Sequence, residues 1–185
     1  AIIFNNKLHQ RVGNRIGEIS SGEACIKVID KYIPAGAYKL TVDNVSRLSV
    51  GDNIEIRKPV TEKWIKFMKM DNLVRDGKAQ TWIKAGKFLI TERTIAAIDG
   101  NIITLTVPLI DCYDSNYTDD NTTIVVANNV GRLKQCGVEN IRIESPAQAV
   151  NHSKALYYAL RINGEDCWAK DINAMETMES IGIGG

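Results

Sequence analysis

The chain has 185 residues, 44% of them apolar and 24% charged, which is the make-up of an ordinary folded protein rather than a disordered one. Its 23 Lys and Arg nearly balance 22 Asp and Glu, so no general basic field exists to hold nucleic acid and no acidic tail exists. No apolar run is long enough to cross a bilayer as a helix. The length suits one domain, or a small domain set into another.

The composition leans towards strands. Ile occurs 24 times and Asn 15 times. A β-branched side chain fits a pleated surface, and Asn tolerates turns and left-handed backbone. Only four Pro occur, so the turns are not proline-driven. The four cysteines, Cys25, Cys112, Cys136 and Cys167, lack the close spacing of a zinc or redox motif and read as buried thiols in strands.

In chain order, Ala24–Ile29 reads as a strand and Pro34-Ala35-Gly36 as its turn. Tyr38, Leu40 and Val42 alternate with polar residues, as do Ile54 and Ile56, the period of half-buried strands. Over residues 61–75 the period changes. Trp64, Phe67 and Met68 fall at helical spacing behind Thr61, a residue placed to act as N-cap. Residues 76–90 read as a long loop holding Trp82. Residues 91–98 and Ile102–Val107 read as a hairpin about Asp99-Gly100-Asn101, because Asp-Gly supplies the positive φ angles of a tight turn. The stretch 37–110 is thus expected to be a small antiparallel barrel or sandwich carrying one helix.

Residues 111–123 are polar. Asp111, Asp114, Asp119 and Asp120 are calcium candidates, since the ion prefers oxygen ligands, but their spacing is not that of an EF-hand and a solvated loop is the commoner meaning of such a run. Beyond residue 124 the chain becomes short strands separated by Asn, Gly and Asp. Asn140-Ile141-Arg142-Ile143 echoes Asp171-Ile172-Asn173-Ala174 at an interval of 31 residues, the signature of stacked coils. Trp168, which leads a strand-like run to Ile172, is expected in the core.

The stretches Gly131-Arg132-Leu133, Gly137–Ile143 and Gly164–Ile172 resemble coils of the pectate-lyase-like right-handed parallel β-helix superfamily. Val50–Trp64 with the hairpin Glu92–Leu109 resembles a small β domain inserted between early coils. The resemblance implies an all-β fold: first β-helix strands over 1–36, an inserted small β domain and polar loop over 37–123, and further coils over 124–185, with the chain expected to be the N-terminal portion of something longer. It implies polysaccharide recognition within a polysaccharide-processing protein, secreted, periplasmic or at the cell surface. Two alternatives stay open: part of a polysaccharide lyase or glycoside hydrolase whose site needs further coils, and a structural module that caps a β-helix or mediates assembly. No Gly-His-Gly occurs, and Asp119-Asp120 does not resemble the paired aspartates of the polygalacturonase group.

A sugar offers an apolar C–H face and a rim of hydroxyls, so its expected contacts are exposed rings beside polar groups. Trp82, Tyr157 and Tyr158 supply rings, and His152, Lys154 and Arg161 supply donors. The two cations favour an acidic sugar. Trp64 also flanks the helix, but Trp82 lies in a polar loop and is the better platform candidate. Glu176 and Glu179 are candidates for the two carboxyl groups of glycoside hydrolysis, and His152 for an acid or base. In a β-helix corner such carboxylates more often simply face solvent. No Walker loop, dinucleotide fingerprint, nucleophile elbow or zincin motif occurs, so apart from the possible calcium no cofactor is expected. The expected partners are a polysaccharide or oligosaccharide and the remainder of a longer β-helix chain. No nucleic acid and no membrane span are expected.

Overall fold

The computed structural model describes residues 2–5, 15–17, 25–127, 133–147, 158–177 and 179–183. Its first strands are β1 (Ile2–Asn5), β2 (Arg15–Gly17), β3 (Ile26–Lys27), β4 (Tyr32–Ile33), β5 (Lys39–Thr41) and β6 (Asn53–Pro59). Helix α1 (Glu62–Phe67) follows, then β7 (Leu73–Arg75), β8 (Lys78–Gln80), β9 (Phe88–Asp99), β10 (Ile102–Leu105) and β11 (Tyr113–Asp114). Helix α2 (Ser115–Thr118) precedes β12 (Thr123–Val126), β13 (Gly137–Glu144), β14 (Tyr158–Asn163), β15 (Trp168–Met175) and β16 (Glu179–Ile183). The all-β expectation holds. The chain divides into two units: residues 12–128, and residues 1–11 with 129–185.

In the first unit the sheet runs β3-β12-β6-β9-β10-β5, every neighbour antiparallel, with β2 on β9. A bridge between Val28 and Val42 joins the two ends of that order, so the sheet curls round on itself. Alternation in the sequence decides what the curl encloses. Ile54, Ile56, Ile95, Ile103, Leu105 and Ile124 turn inward with Leu40 and Val42 and are almost wholly buried. Gly100 takes a φ of 56° in the β9–β10 turn, the left-handed conformation expected of Asp-Gly.

Lys58 is one of several buried charged residues in this unit, with Arg57, Glu92 and Arg93. Its ammonium pairs with Asp111 Oδ2 at 2.7 Å, donates to the Cys112 carbonyl at 2.9 Å and lies over the rings of Trp64 and Tyr113. A buried lysine is tolerable only with such company, and here the company ties the 111–113 segment to β6. Tyr113 is itself buried and donates its hydroxyl to Thr91 Oγ1 at 3.1 Å.

Two expectations are corrected in this unit. The helix stops at Phe67, well short of residue 75. Lys69 adopts a left-handed φ of 55°, its N–H returns to the Lys66 carbonyl, and the Met70 N–H returns to Ile65. Met70 also packs into the cluster that holds Ile65. These are the bonds and the apolar contact of a Schellman stop, with lysine where glycine is usual, and that is why the sequence conceals it. Nor are residues 76–90 an unbroken loop. They hold the second strand of a tight hairpin, β7 on β8, and the first residues of β9.

The second unit is parallel. β1, β14 and β16 form one sheet, and β13 pairs with β15. The β13–β15 register matches Gly137 with Trp168, Ile141 with Ile172 and Glu144 with Met175, a constant offset of 31. The interval expected from Asn140 and Asp171 is therefore the structural repeat. Both of those residues take positive φ, 54° and 52°, so both strands bend at the same level. Short polar residues bear this conformation better than most. Lys134 and Glu165, also 31 apart, form a parallel bridge and a 3.0 Å ion pair.

Thr61 caps α1 as expected, accepting from the Trp64 N–H, and its hydroxyl also donates to the Tyr117 carbonyl at 2.6 Å. Thr61→Ala removes both bonds and is expected to cost about 1–2 kcal/mol in denaturant unfolding. Burial pushes the Tyr113 phenol up to about 12, with the bond to Thr91 opposing. The folded value exceeds the unfolded one, about 10, so the associated stability is complete below about pH 10 and is lost as pH rises towards 12. An ultraviolet titration should show a late phenolate step that Tyr113→Phe removes.

Candidate functional site

The outward face of the β13–β15 pair gathers the described side chains best suited to a polar ligand. Along β13 the exposed positions besides the bend residue Asn140 are Gly137, Glu139, Arg142 and Glu144. Along β15, besides the bend residue Asp171, they are Trp168, Lys170, Asn173 and Met175, matched one to one by the register. Val138, Ile141, Ile143, Ala169, Ile172 and Ala174 take the other, half-buried side. The split follows from the sequence: apolar residues alternate with polar ones, and the shared bend at Asn140 and Asp171 resets the alternation equally in both strands.

Trp168 is the aromatic residue of this face, at its Gly137 end, and it is not the core residue expected. Its side chain is 45% exposed. The indole lies flat over Gly137, so that a Cβ built there would fall among the ring atoms Cε2, Cδ2 and Nε1. Its Nε1 donates to Glu139 Oε1 at 2.8 Å. The ring is thus held by a glycine beneath and a carboxylate beside it, with one side towards solvent. Lys170 is the register partner of Glu139. Further along, Arg142 donates to Glu144 at 2.9 Å and touches Met175 Sδ at 3.1 Å. The face presents one aromatic plane, two cations, two carboxylates and the Asn173 amide. That set can stack on a sugar ring and exchange hydrogen bonds with its hydroxyls.

The residues singled out from sequence fall in several places. Trp82 stands in the antiparallel unit, 74% exposed, and Trp64 is half-buried beside Lys58. Arg161 is exposed on β14, the strand that Tyr158 opens. His152, Lys154 and Tyr157 lie outside the described residues. Glu176 is exposed just after β15 in a left-handed conformation, φ 54°, and Glu179 opens β16. The four aspartates each have a separate partner. Asp111 holds Lys58, Asp114 caps α2 through Asn116 N, Asp119 holds Lys63 and Asp120 holds Lys31. The Lys31 ammonium keeps the Asp120 carboxyl below its ordinary range. Among the described residues no three His, Cys, Asp or Glu side chains come together as metal ligands would. The cysteines also depart from expectation: none is buried, and Cys25 is exposed. Cys136 and Cys167 sit one repeat apart, each Sγ turned to the carbonyl two residues back.

No protein-family profile and no curated protein matches the chain. Among solved structures it is similar to the tailspike protein gp49 from Pseudomonas phage LKA1, at 14% identity and a TM-score of 0.37 over 75% of this chain and 18% of that one. It is similar to the gp54 tailspike of Acinetobacter baumannii bacteriophage AP22, a structure in complex with A. baumannii capsular saccharide, at 12% identity and 0.37 over 88% and 24%. It is also similar to the Pseudomonas phage phi297 tailspike gp61, at 12% identity and 0.38 over 86% and 34%. The chain therefore spans between about a fifth and a third of the length of these proteins.

Because the indole of Trp168 is half in water, Trp168→Ala is expected to cost less than about 1.5 kcal/mol, well under the cost of emptying a core site. Gly137→Ala is the sharper probe. The methyl group displaces the ring, breaks the bond to Glu139 and should shift the Trp168 emission while leaving the far-ultraviolet circular dichroism unchanged. An unaltered emission spectrum would show that the indole does not rest on Gly137.

Proposed function

We propose that this chain recognises a carbohydrate within a polysaccharide-processing protein, using the outward face of β13 and β15. The observation that carries this reading is the solvent-facing indole of Trp168, fixed flat by Gly137 and Glu139 beside Lys170, Arg142 and Asn173. A fixed ring loses little conformational freedom on binding, so more of the stacking energy appears as affinity. The charged groups on the same face offer donors and acceptors without a large net field, which suits hydroxyl-rich ligands. Arg161, exposed on β14, is proposed as a further donor, and Trp82 as a platform on the other unit. We read the parallel strands as coils of a pectate-lyase-like right-handed β-helix, acting outside the cell. The 31-residue register and the repeated bend support that reading.

A glycan array followed by isothermal titration tests it. Trp168→Ala should weaken binding of the selected glycan about tenfold or more, as expected for a central aromatic contact, while the melting temperature moves by only about 3 °C. Glu139→Gln keeps an oxygen to accept from the indole and should bind within about threefold of the parent. Parent-like affinity in Trp168→Ala would remove this face from the account.

A further inference from the structure

The antiparallel unit carries a charge asymmetry that the whole-chain balance hides. The chain leaves the sheet after Pro59 and rejoins it at Phe88, the register partner of Pro59. Val60 and residues 86–87 close the neck, through Val60 N to the Lys87 carbonyl and Gly86 N to the Val60 carbonyl. Between them, residues 61–87 contain seven Lys and Arg and three Asp and Glu, a net of +4 in a chain whose total is +1. The remaining residues therefore sum to −3. Lys63 is paired with Asp119 and Arg75 lies 3.8 Å from Asp76. Lys66, Lys69, Lys78 and Lys84 are exposed, and among the described residues they form no ion pair.

The same excursion exposes rings. Ile83 is buried with Val60 and Ile65 in a small satellite core, and this anchors the turn that holds its neighbour Trp82 out in solvent. Phe67 is also exposed, with its ring 4.4 Å from that of Tyr117. Like charges on so small a lobe repel one another and attract a polyanion. An indole kept in water is a contact waiting for a flat, partly apolar partner.

We infer that this lobe is a second glycan contact, selective for acidic polysaccharide, with the four lysines facing its anionic groups and Trp82 stacking on a sugar ring. The inference starts from the carbohydrate reading above and adds a charged site on the other unit. Charge complementarity selects an anionic chain. The free cations are all lysines, point charges that neutralise spaced anionic groups without needing a bidentate geometry, and a nucleic acid is the competing polyanion that the test includes. The lobe's helix has six residues, too few to lie along an anionic membrane as amphipathic helices do.

The test measures affinity of the whole chain for immobilised polygalacturonate, with dextran, poly(U) and anionic lipid vesicles alongside. The parent should bind polygalacturonate more tightly than the other three, with affinity falling as salt rises from about 0.05 to about 0.5 M. The variant carrying Lys66→Gln, Lys69→Gln, Lys78→Gln and Lys84→Gln should lose about tenfold and most of the salt dependence. Trp82→Ala should lose about threefold with its salt dependence intact. Unchanged binding in the lysine variant together with loss in Trp168→Ala overturns this site and leaves the first face standing. Loss in the lysine variant with parent-like binding in Trp168→Ala supports this site and removes the other. Tighter binding to poly(U) or to vesicles overturns the assignment, and binding to no polysaccharide overturns both.

Discussion

Gly137 and Trp168 occupy the same level in successive layers of a parallel ladder, and the absence of a Cβ at the first lets the indole of the second lie down. The candidate glycan face follows from that pairing. With any side chain at 137 the ring would stand away from the sheet, lose Glu139 as its acceptor and become one more mobile surface group. The pairing depends in turn on a constant 31-residue register, because a slip of one residue would set Trp168 against Val138 or Cys136 and turn it to the other side. A backbone constraint that repeats along the chain is thus converted into a fixed aromatic plane.

The antiparallel unit shows the same economy in a different form. Its sheet encloses an aliphatic interior, and two of the polar groups that enter have clear partners: Lys58 has Asp111, Cys112 O and two rings, and Tyr113 has Thr91. The excursion between β6 and β9 carries a net charge of +4, against −3 for the rest of the chain. A helix stopped early by Lys69, a hairpin and a turn pinned by Ile83 place lysines and Trp82 on its surface. The two proposed contacts differ in physics as well as place. One is nearly neutral and relies on a ring held rigidly, the other relies on unpaired positive charge, and the two should respond differently to salt.

Much of the fold was legible from period and turn chemistry. Alternation at Leu40, Val42, Ile54 and Ile56 marked inward positions, Asp99-Gly100 marked a hairpin and Thr61 marked a helix start, since each is a local rule. The echo of residues 140–143 in 171–174 revealed the repeat, because identical offsets stack identical chemistry. The misreadings arose where the neighbour in space decides. Trp168 followed a cysteine in an apolar run and looked buried, but its exposure is set by a glycine 31 residues earlier. Lys69 ends a helix in a conformation that sequence normally assigns to glycine. The pairing of each aspartate in 111–120 with a distant lysine is likewise a property of the folded sheet and not of spacing. The signal that would have found the face was present: Gly137 lies one repeat before Trp168, and applying the 31-residue offset to single positions exposes the pair.

The most direct test of the central claim places a reporter in the ring itself. In a variant carrying Trp64→Phe and Trp82→Phe, Trp168 is the sole indole of the chain, and its emission can be followed while a bound glycan is titrated. Stacking of a sugar ring on Trp168 predicts a saturable shift in emission and protection from a neutral quencher, at the concentrations that give binding by calorimetry. Full calorimetric binding with an unchanged, freely quenched Trp168 would contradict the account.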